Sequence, residues 1–456
     1  METQNFQNPD IIAALDIGTT KVCVVVGRRN ILGKIEILGF GKVNSEGVIR
    51  GVVSNIDKTV KAICDAVDLA EKMSKQEIQR VHVGIAGQHI KSLQHQGVLY
   101  RNNPQEEITK EDVDKLIQDM YKIALPPGDQ ILHVIPQEFT VDEEEGIIDP
   151  VGMSGSRLQS NFHIITGNTS AAANILRCIE KAGLVSESIT LEPLASAESV
   201  LALEEKEAGV VMVDIGGGTT DVTIYNEGII RYTSVIPIGS NIITKDIKAG
   251  CSVTVEQAEK LKVRFGSALS EEIVDNRIIT IPGLMGREPK EISEKNLARI
   301  IQARVEEIFE YVMWDIHRSG YEHKIAAGIV LTGGGSLLKN LDLLAEFQTG
   351  LSARIGHPTQ HLSSHYMDEI SNPMFATGVG LILEGFKKIP AKKEERKLAV
   401  QKTFDLQDDE LPITFEPIQQ ERRELHQKKE SWLGKMVNKG YVSVREFFEA
   451  SPDSEI

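Results

Sequence analysis

A chain of 456 residues exceeds what one hydrophobic core usually supports, so two or more lobes are expected. With 41% apolar and 25% charged residues it reads as globular rather than disordered, and no apolar run approaches the roughly 18 residues that cross a bilayer. A formal charge of -16 argues against a nucleic-acid partner, because phosphate binding draws on surplus Lys and Arg.

The polar, acidic start METQNFQNPD lacks the features of a signal peptide, and a cytosolic location is expected. Cys23, Cys64, Cys178 and Cys251 lie far apart without a C-x-x-C spacing, which suits reduced buried thiols. From Ile11 to Gly27 the chain reads as strand, glycine turn, strand; Lys34 to Val43 adds a third strand. A helical pattern follows in NIDKTVKAICDAVDLAEKMS, with Val60, Ile63, Val67 and Ala70 on one face. Arg80 to Asn168 holds strand signals around a helix predicted over Thr109 to Ile123, whose TKED start places Thr before acids. That stretch reads as a small α/β insert. SAAANILRCIEKAGL is a helix with Gly183 as its stop, and SESITLEPLASAESVLAL leads into the second half.

There VVMVDIGGGTTDVTIYNEG, Val210 to Gly228, repeats the opening: strand, glycine turn, strand. A strand-like GIIRYTSVIPIG and a helix from Ser240 come next, then charged helices over Val255 to Gly266 and Glu294 to Ser319. IAAGIVLTGGGSLLKNLDLLAEF supplies a third glycine turn between strand and helix. From Lys387 the chain turns basic and then aperiodic, reading as a flexible linker to Glu430. The last segment regains a stripe, with Trp432, Leu433, Met436, Val437, Tyr441, Val444, Phe447 and Phe448 at helical spacings.

Glycine turns let backbone approach a polyphosphate closely, and their successive N–H groups form a concave anion site. An aspartate at the head of each turn then has a purpose. Asp16 and Asp214, facing across a cleft, would hold Mg²⁺ through its waters, and Thr19, Thr20, Lys21, Thr219 and Thr220 would add phosphate donors. The competing reading, two ordinary hairpins with Asp as a turn residue, is weakened by the second copy and the third turn.

DIGTTKVCVVVG and DIGGGTTDVTIY resemble the two phosphate motifs of the actin, sugar kinase and heat-shock chaperone superfamily, and GIVLTGGGSLL resembles its adenosine motif. VHVGIAGQHIKSLQHQGV and IKAGCSVTVEQAEKLKVRFG are similar to segments of the bacterial cell-division FtsA family, over about Ile11 to Gly385. The resemblance implies an α/β actin-like ATPase fold of two duplicated ribonuclease-H-like lobes, with a small inserted α/β subdomain and a C-terminal amphipathic helix. Expected boundaries are 1–83 and 169–208 for the first lobe, 84–168 for the insert, 209–386 for the second lobe, 387–430 for the linker and 431–449 for the helix. It implies ATP and Mg²⁺ as ligands, held by Asp16, Gly18, Thr19, Thr20 and Lys21 in the first loop. Asp214, Gly216, Gly217, Gly218, Thr219 and Thr220 would serve in the second. Gly333, Gly334, Gly335 and Ser336 would lie beneath the nucleoside, and Glu259 and Lys262, three apart on one helix face, would contact adenosine.

Glu192 falls where relatives place the group that orients the attacking water; read alone, it is an acid favoured at a helix N-terminus ahead of Pro193. Hydrolysis is expected to be slow. The resemblance further implies self-association, FtsZ as partner, recruitment of later division proteins, and attachment to the cytoplasmic membrane surface at the division site. Trp432, Phe447 and Phe448 suit the headgroup boundary, and Lys435, Lys439 and Arg445 suit anionic lipid, although Gly434, Gly440 and the acidic EASPDSEI weaken such an anchor. Two other readings compete: a small-molecule kinase, which would need a second pocket with its own base, and a cytosolic adaptor such as the pilus protein PilM, which lacks this kind of tail.

Overall fold

The computed structural model describes residues 11–30, 33–282, 288–363 and 368–388. The striped tail and the linker expected from 387 lie outside them, save for Lys387 and Lys388, which end a helix instead. All described residues fall in one compact unit that ends at Ile389.

Two five-stranded sheets share one plan. In the first, strands Ile11–Ile17, Lys21–Arg29 and Ile35–Asn44 form an antiparallel meander, and Arg80–Ile85 and Val185–Leu191 add in parallel on the other side of the first strand. In the second, Val210–Ile215, Thr220–Asn226 and Ile229–Ile236 form the meander, and Ile329–Thr332 and Ala353–Ile355 add in parallel. The duplication therefore extends through the whole sheet.

Each leading strand is apolar on both faces, as a strand covered on both sides must be. Ala13, Leu15 and Ile17 point into one core layer, beneath helices Ile56–Ser74 and Thr169–Lys181. Ile12 and Ala14 point into the opposite layer, against Val379 and Ile382 of helix Ala376–Lys388. Val211, Val213 and Ile215 likewise face one core of the second lobe, and Val210 and Met212 face Ala197 and Val200 of helix Glu192–Val200. Helix Glu192–Val200 thus leaves the first sheet and packs on the second, whereas Ala376–Lys388 follows the second and packs on the first. That exchange ties the lobes.

Helix Ile56–Ser74 centres its buried face on Ala62, Ile63, Ala66, Val67 and Ala70, leaving Val60 half-buried. The shift has a cause: a Cβ at Gly41 would collide with the Ala66 carbonyl, so strand and helix approach through glycine. The strand Arg80–Ile85, grouped with the insert by strand pattern and cut by the boundary expected at 83, pairs as a whole inside the first sheet. The insert proper is an antiparallel sheet of Lys91–Tyr100, Arg157–Asn168, Asp129–Val141 and Glu144–Ile147, in that spatial order. Its helix Lys110–Met120 opens on a capping box in which Thr109 pairs with Asp112, the second acid of TKED. Removing that cap by Thr109→Ala is expected to cost about 1 kcal/mol of stability, read by denaturant titration.

A candidate nucleotide cleft

The two leading strands put their terminal carboxylates in one place. By the strand's period of two, Asp16 continues the face of Ile12 and Ala14, and Asp214 continues that of Val210 and Met212. Both faces are those covered by the exchanged helices, so both acids emerge at the junction of the lobes. Behind them the hairpins are built alike. Gly18 donates its N–H to the carbonyl of Lys21 at 2.9 Å, and Gly216 donates to that of Thr219 at 2.9 Å. Register makes Asp16 opposite Cys23 and Asp214 opposite Asp221.

The hairpins also meet. A Cβ at Gly217 would run into the hydroxyl of Thr20, and one at Gly218 would lie 2.6 Å from that of Thr19. Thr19 accepts the N–H of Gly51 at 3.0 Å. Helix Ser240–Cys251 starts against the second loop, Ser240 and Asn241 donating to the carbonyls of Gly216 and Gly217 at 2.9 Å each. The third glycine turn closes the same corner: Gly333 has φ +81°, and a Cβ there would strike Oδ1 of Asp214. Gly334 and Gly335 open the short 3₁₀ turn Gly334–Leu337, in which Ser336 donates its hydroxyl to Gly333 at 2.7 Å.

Charge is concentrated here. Lys21 forms an ion pair with Asp16; burial opposes its charge, but Asp16, with Cys23 and Glu192 adding to it, outweighs burial and holds Lys21 above the usual lysine range. Burial pushes Asp214 up to about 6 even though Ser196 donates to it at 2.7 Å, with Asp16 adding repulsion. Glu192, the first residue of its helix, is raised well above the carboxylate range by burial and then by Asp16 and Asp221. Four acids feel one another. Among the described residues no three His, Cys, Asp or Glu converge into a ready metal cage.

Asp221 is the member that sequence reading passed over. It is 5% exposed, raised well above the carboxylate range by burial and by Asp214, and its Oδ1 has no hydrogen-bond partner among the described residues. The signal was available: a carboxylate in the otherwise uncharged strand Thr220–Asn226, seven positions after Asp214 as Cys23 is after Asp16. Thr220 is fully buried and its hydroxyl donates to the Ile238 carbonyl at 2.8 Å, so that side chain is engaged behind the loop. Glu259 and Lys262 pair with each other at 2.9 Å on helix Val255–Phe265. Thr244 bridges them, giving its proton to Glu259 at 2.5 Å and accepting from Lys262 at 2.9 Å.

The family described as cell division protein FtsA matches residues 211–380, and the one described as the SHS2 domain inserted in FtsA matches residues 87–166. The chain is 40% identical over 382 residues to the cell division protein FtsA of Pseudomonas aeruginosa, covering 84% of this chain and 91% of that protein. It is 41% identical over 377 residues to that of Neisseria meningitidis, covering 82% and 90%. Among solved structures, a chain of the PilM-PilN type IV pilus biogenesis complex superposes with TM-score 0.60 over 82% of this chain and 98% of that one. At 15% identity this is a likeness of fold alone.

Proposed function

The chain belongs to the FtsA family of cell-division proteins, and from that premise we propose an ATP-binding, actin-like scaffold that self-associates on the inner membrane face and tethers FtsZ there. The observation carrying the nucleotide reading is the pair of matched hairpins with Asp16 and Asp214 at one junction, closed by the third glycine turn on Asp214. Phosphates would lie on the N–H groups of Thr19, Gly217 and Gly218, those of Gly18 and Gly216 closing the hairpins, with Lys21 as counter-charge. The nucleoside would lie between Gly333 to Ser336 and the Glu259 and Lys262 pair.

A divalent cation fits the acids. Burial makes the ionised forms of Asp214 and Asp221 costly, with Asp16 repelling the first and Asp214 the second, and Asp221 carries an unpartnered oxygen among the described residues. Asp16 and Asp214, with Asp221 in support, would hold Mg²⁺ through its waters; when bound, the ion neutralises charge on the phosphates. Glu192 would accept a proton from, or orient, the attacking water. Burial, and then Asp16 and Asp221, disfavour its ionised form.

The stripe from Trp432 to Phe448, at the end of a charged linker, supports the membrane part of the reading: one such helix binds marginally, and many in a filament bind by avidity. Among the described residues no helix is long and apolar enough to cross a membrane. In flotation with vesicles containing anionic lipid, the full chain is expected to rise with the lipid and a chain ending at Glu430 to stay at the bottom. Equal behaviour of the two overturns the tether. FtsZ filaments should then be carried to the same vesicles by the full chain only.

A further inference from the structure

The exchanged helix that begins with Glu192 starts without a cap of its own. Leu191 occupies the N-cap position and offers no side-chain hydrogen bond, and Pro193 has no N–H. The Glu192 side chain is pressed from one side by Gly84, where a Cβ would lie 2.8 Å from its Cγ. The backbone just ahead of it is held from outside both lobes: the N–H of Leu191 donates to Nε2 of His133 at 3.0 Å. His133 lies on Asp129–Val141, a strand of the inserted sheet.

That strand is shaped for the contact. Where it pairs with Arg157–Asn168, Ile165 lies opposite His133 and Thr166 opposite Ile131, so Leu132 is an extra residue, a bulge beside His133. Bulges re-aim the neighbouring side chain. Further along, Gln137 donates to the carbonyl of Ile230 at 3.2 Å and Glu138 pairs with Arg231 at 2.5 Å, both on the edge strand of the second lobe. Ile135, between His133 and Gln137, packs against core residues of both lobes. One inserted strand therefore grips the edges of both sheets. Burial lowers His133 to about 4, with Lys388 adding to the effect, so its imidazole is neutral near pH 7 and Nε2 is free to accept.

We infer that His133 is a positioning residue for Glu192: through it the inserted subdomain fixes the entry into helix Glu192–Val200 and so the place of the Glu192 carboxylate. The inference rests on Glu192 orienting the attacking water. It makes the insert a lever on hydrolysis, separate from nucleotide binding, because the hydrogen bond of His133 goes to the backbone ahead of Glu192 and not to the hairpins that would hold the phosphates.

The test uses the full chain, nucleotide affinity from a fluorescent ATP analogue, and ATP hydrolysis in a single turnover. Gln can present its amide oxygen near the position of Nε2, whereas Asn is too short and Leu has no acceptor. His133→Leu and His133→Asn are expected to lower hydrolysis about ten- to a hundredfold, the scale of a small misplacement of a reacting group. Affinity should stay within about twofold, because only an interaction used in the transition state is lost. His133→Gln should recover most of the rate, and His133→Asn gives the comparison if the Leu variant does not fold. Asn and Gln behaving alike, or affinity falling in step with rate, overturns the inference. So does wild-type hydrolysis by His133→Leu when Glu192→Gln is inactive, which leaves the role of Glu192 standing. No hydrolysis by the wild type, or full activity in Glu192→Gln, removes the role of Glu192 and the inference with it.

Discussion

Asp214→Asn is expected to make the nucleotide-free chain more stable at pH 8 and, in the same variant, to abolish the stabilisation that Mg-ATP confers. The first effect follows from linkage. Asp214 has an ordinary carboxylate value of 3.8 and is raised to about 6 in the fold, so the native state holds its proton more tightly than the unfolded chain does. Its ionised form is therefore a liability, absent below about pH 4, growing up to about pH 6 and fully present above it. The difference corresponds to about 3 kcal/mol at most, and less where solvent reaches the half-buried side chain. Asn removes the charge and keeps an oxygen for Ser196. A rise of about 2 to 4 °C in melting midpoint at pH 8 is expected, shrinking toward pH 4.

The second effect is larger in functional terms. Ligand at about a hundred times its dissociation constant stabilises the wild type by about 2.7 kcal/mol, and a variant that cannot hold the metal nucleotide gains nothing. A melt series at pH 5, 6, 7 and 8, with and without Mg-ATP, reads both. An Asp214→Asn chain with an undiminished Mg-ATP shift removes the cleft assignment; one less stable than wild type at pH 8 without nucleotide removes the electrostatic account.

Much of this site was legible beforehand because its elements are local. A hairpin with an aspartate before its glycines is specified by neighbouring residues, and two copies announce themselves. Thr109, Gly183 and the span Glu294–Ser319 were equally readable, since caps, stops and helical period are short-range signals. What stayed hidden depends on distant packing. Asp221 stood out as the one charge in its strand, but its register opposite Asp214 is what places it with the acids. His133 lies on a different subdomain from the Leu191 backbone whose N–H it accepts. Strand pattern alone grouped Arg80–Ile85 with the insert for the same reason: it looks like any strand until its parallel partners are known.

The exchange of closing helices was also invisible in sequence, and it carries the second large prediction. Gly380 sits inside helix Ala376–Lys388, where alanine would ordinarily favour the helix by about 1 kcal/mol. Here a Cβ would fall on the carbonyl of Ala195, in the helix that crosses from the first lobe. Main chain on both sides cannot turn aside as a side chain can, so the helices must separate. Such overpacking costs about 1 to 3 kcal/mol, which reverses the sign expected from propensity. The contact chain beside it would shift too: Ser196 meets Thr377 at 3.1 Å and donates to Asp214, so nucleotide affinity should fall together with stability. Gly250 is the control. It lies in helix Ser240–Cys251, and its Cβ would meet only the side chain of Ile300, which can rotate away. Gly250→Ala is therefore expected to be neutral or to stabilise by a few tenths of a kcal/mol. Denaturant titrations of both variants decide the point, and a Gly380→Ala chain as stable as the Gly250→Ala chain would show that the lobes are not joined through this crossing.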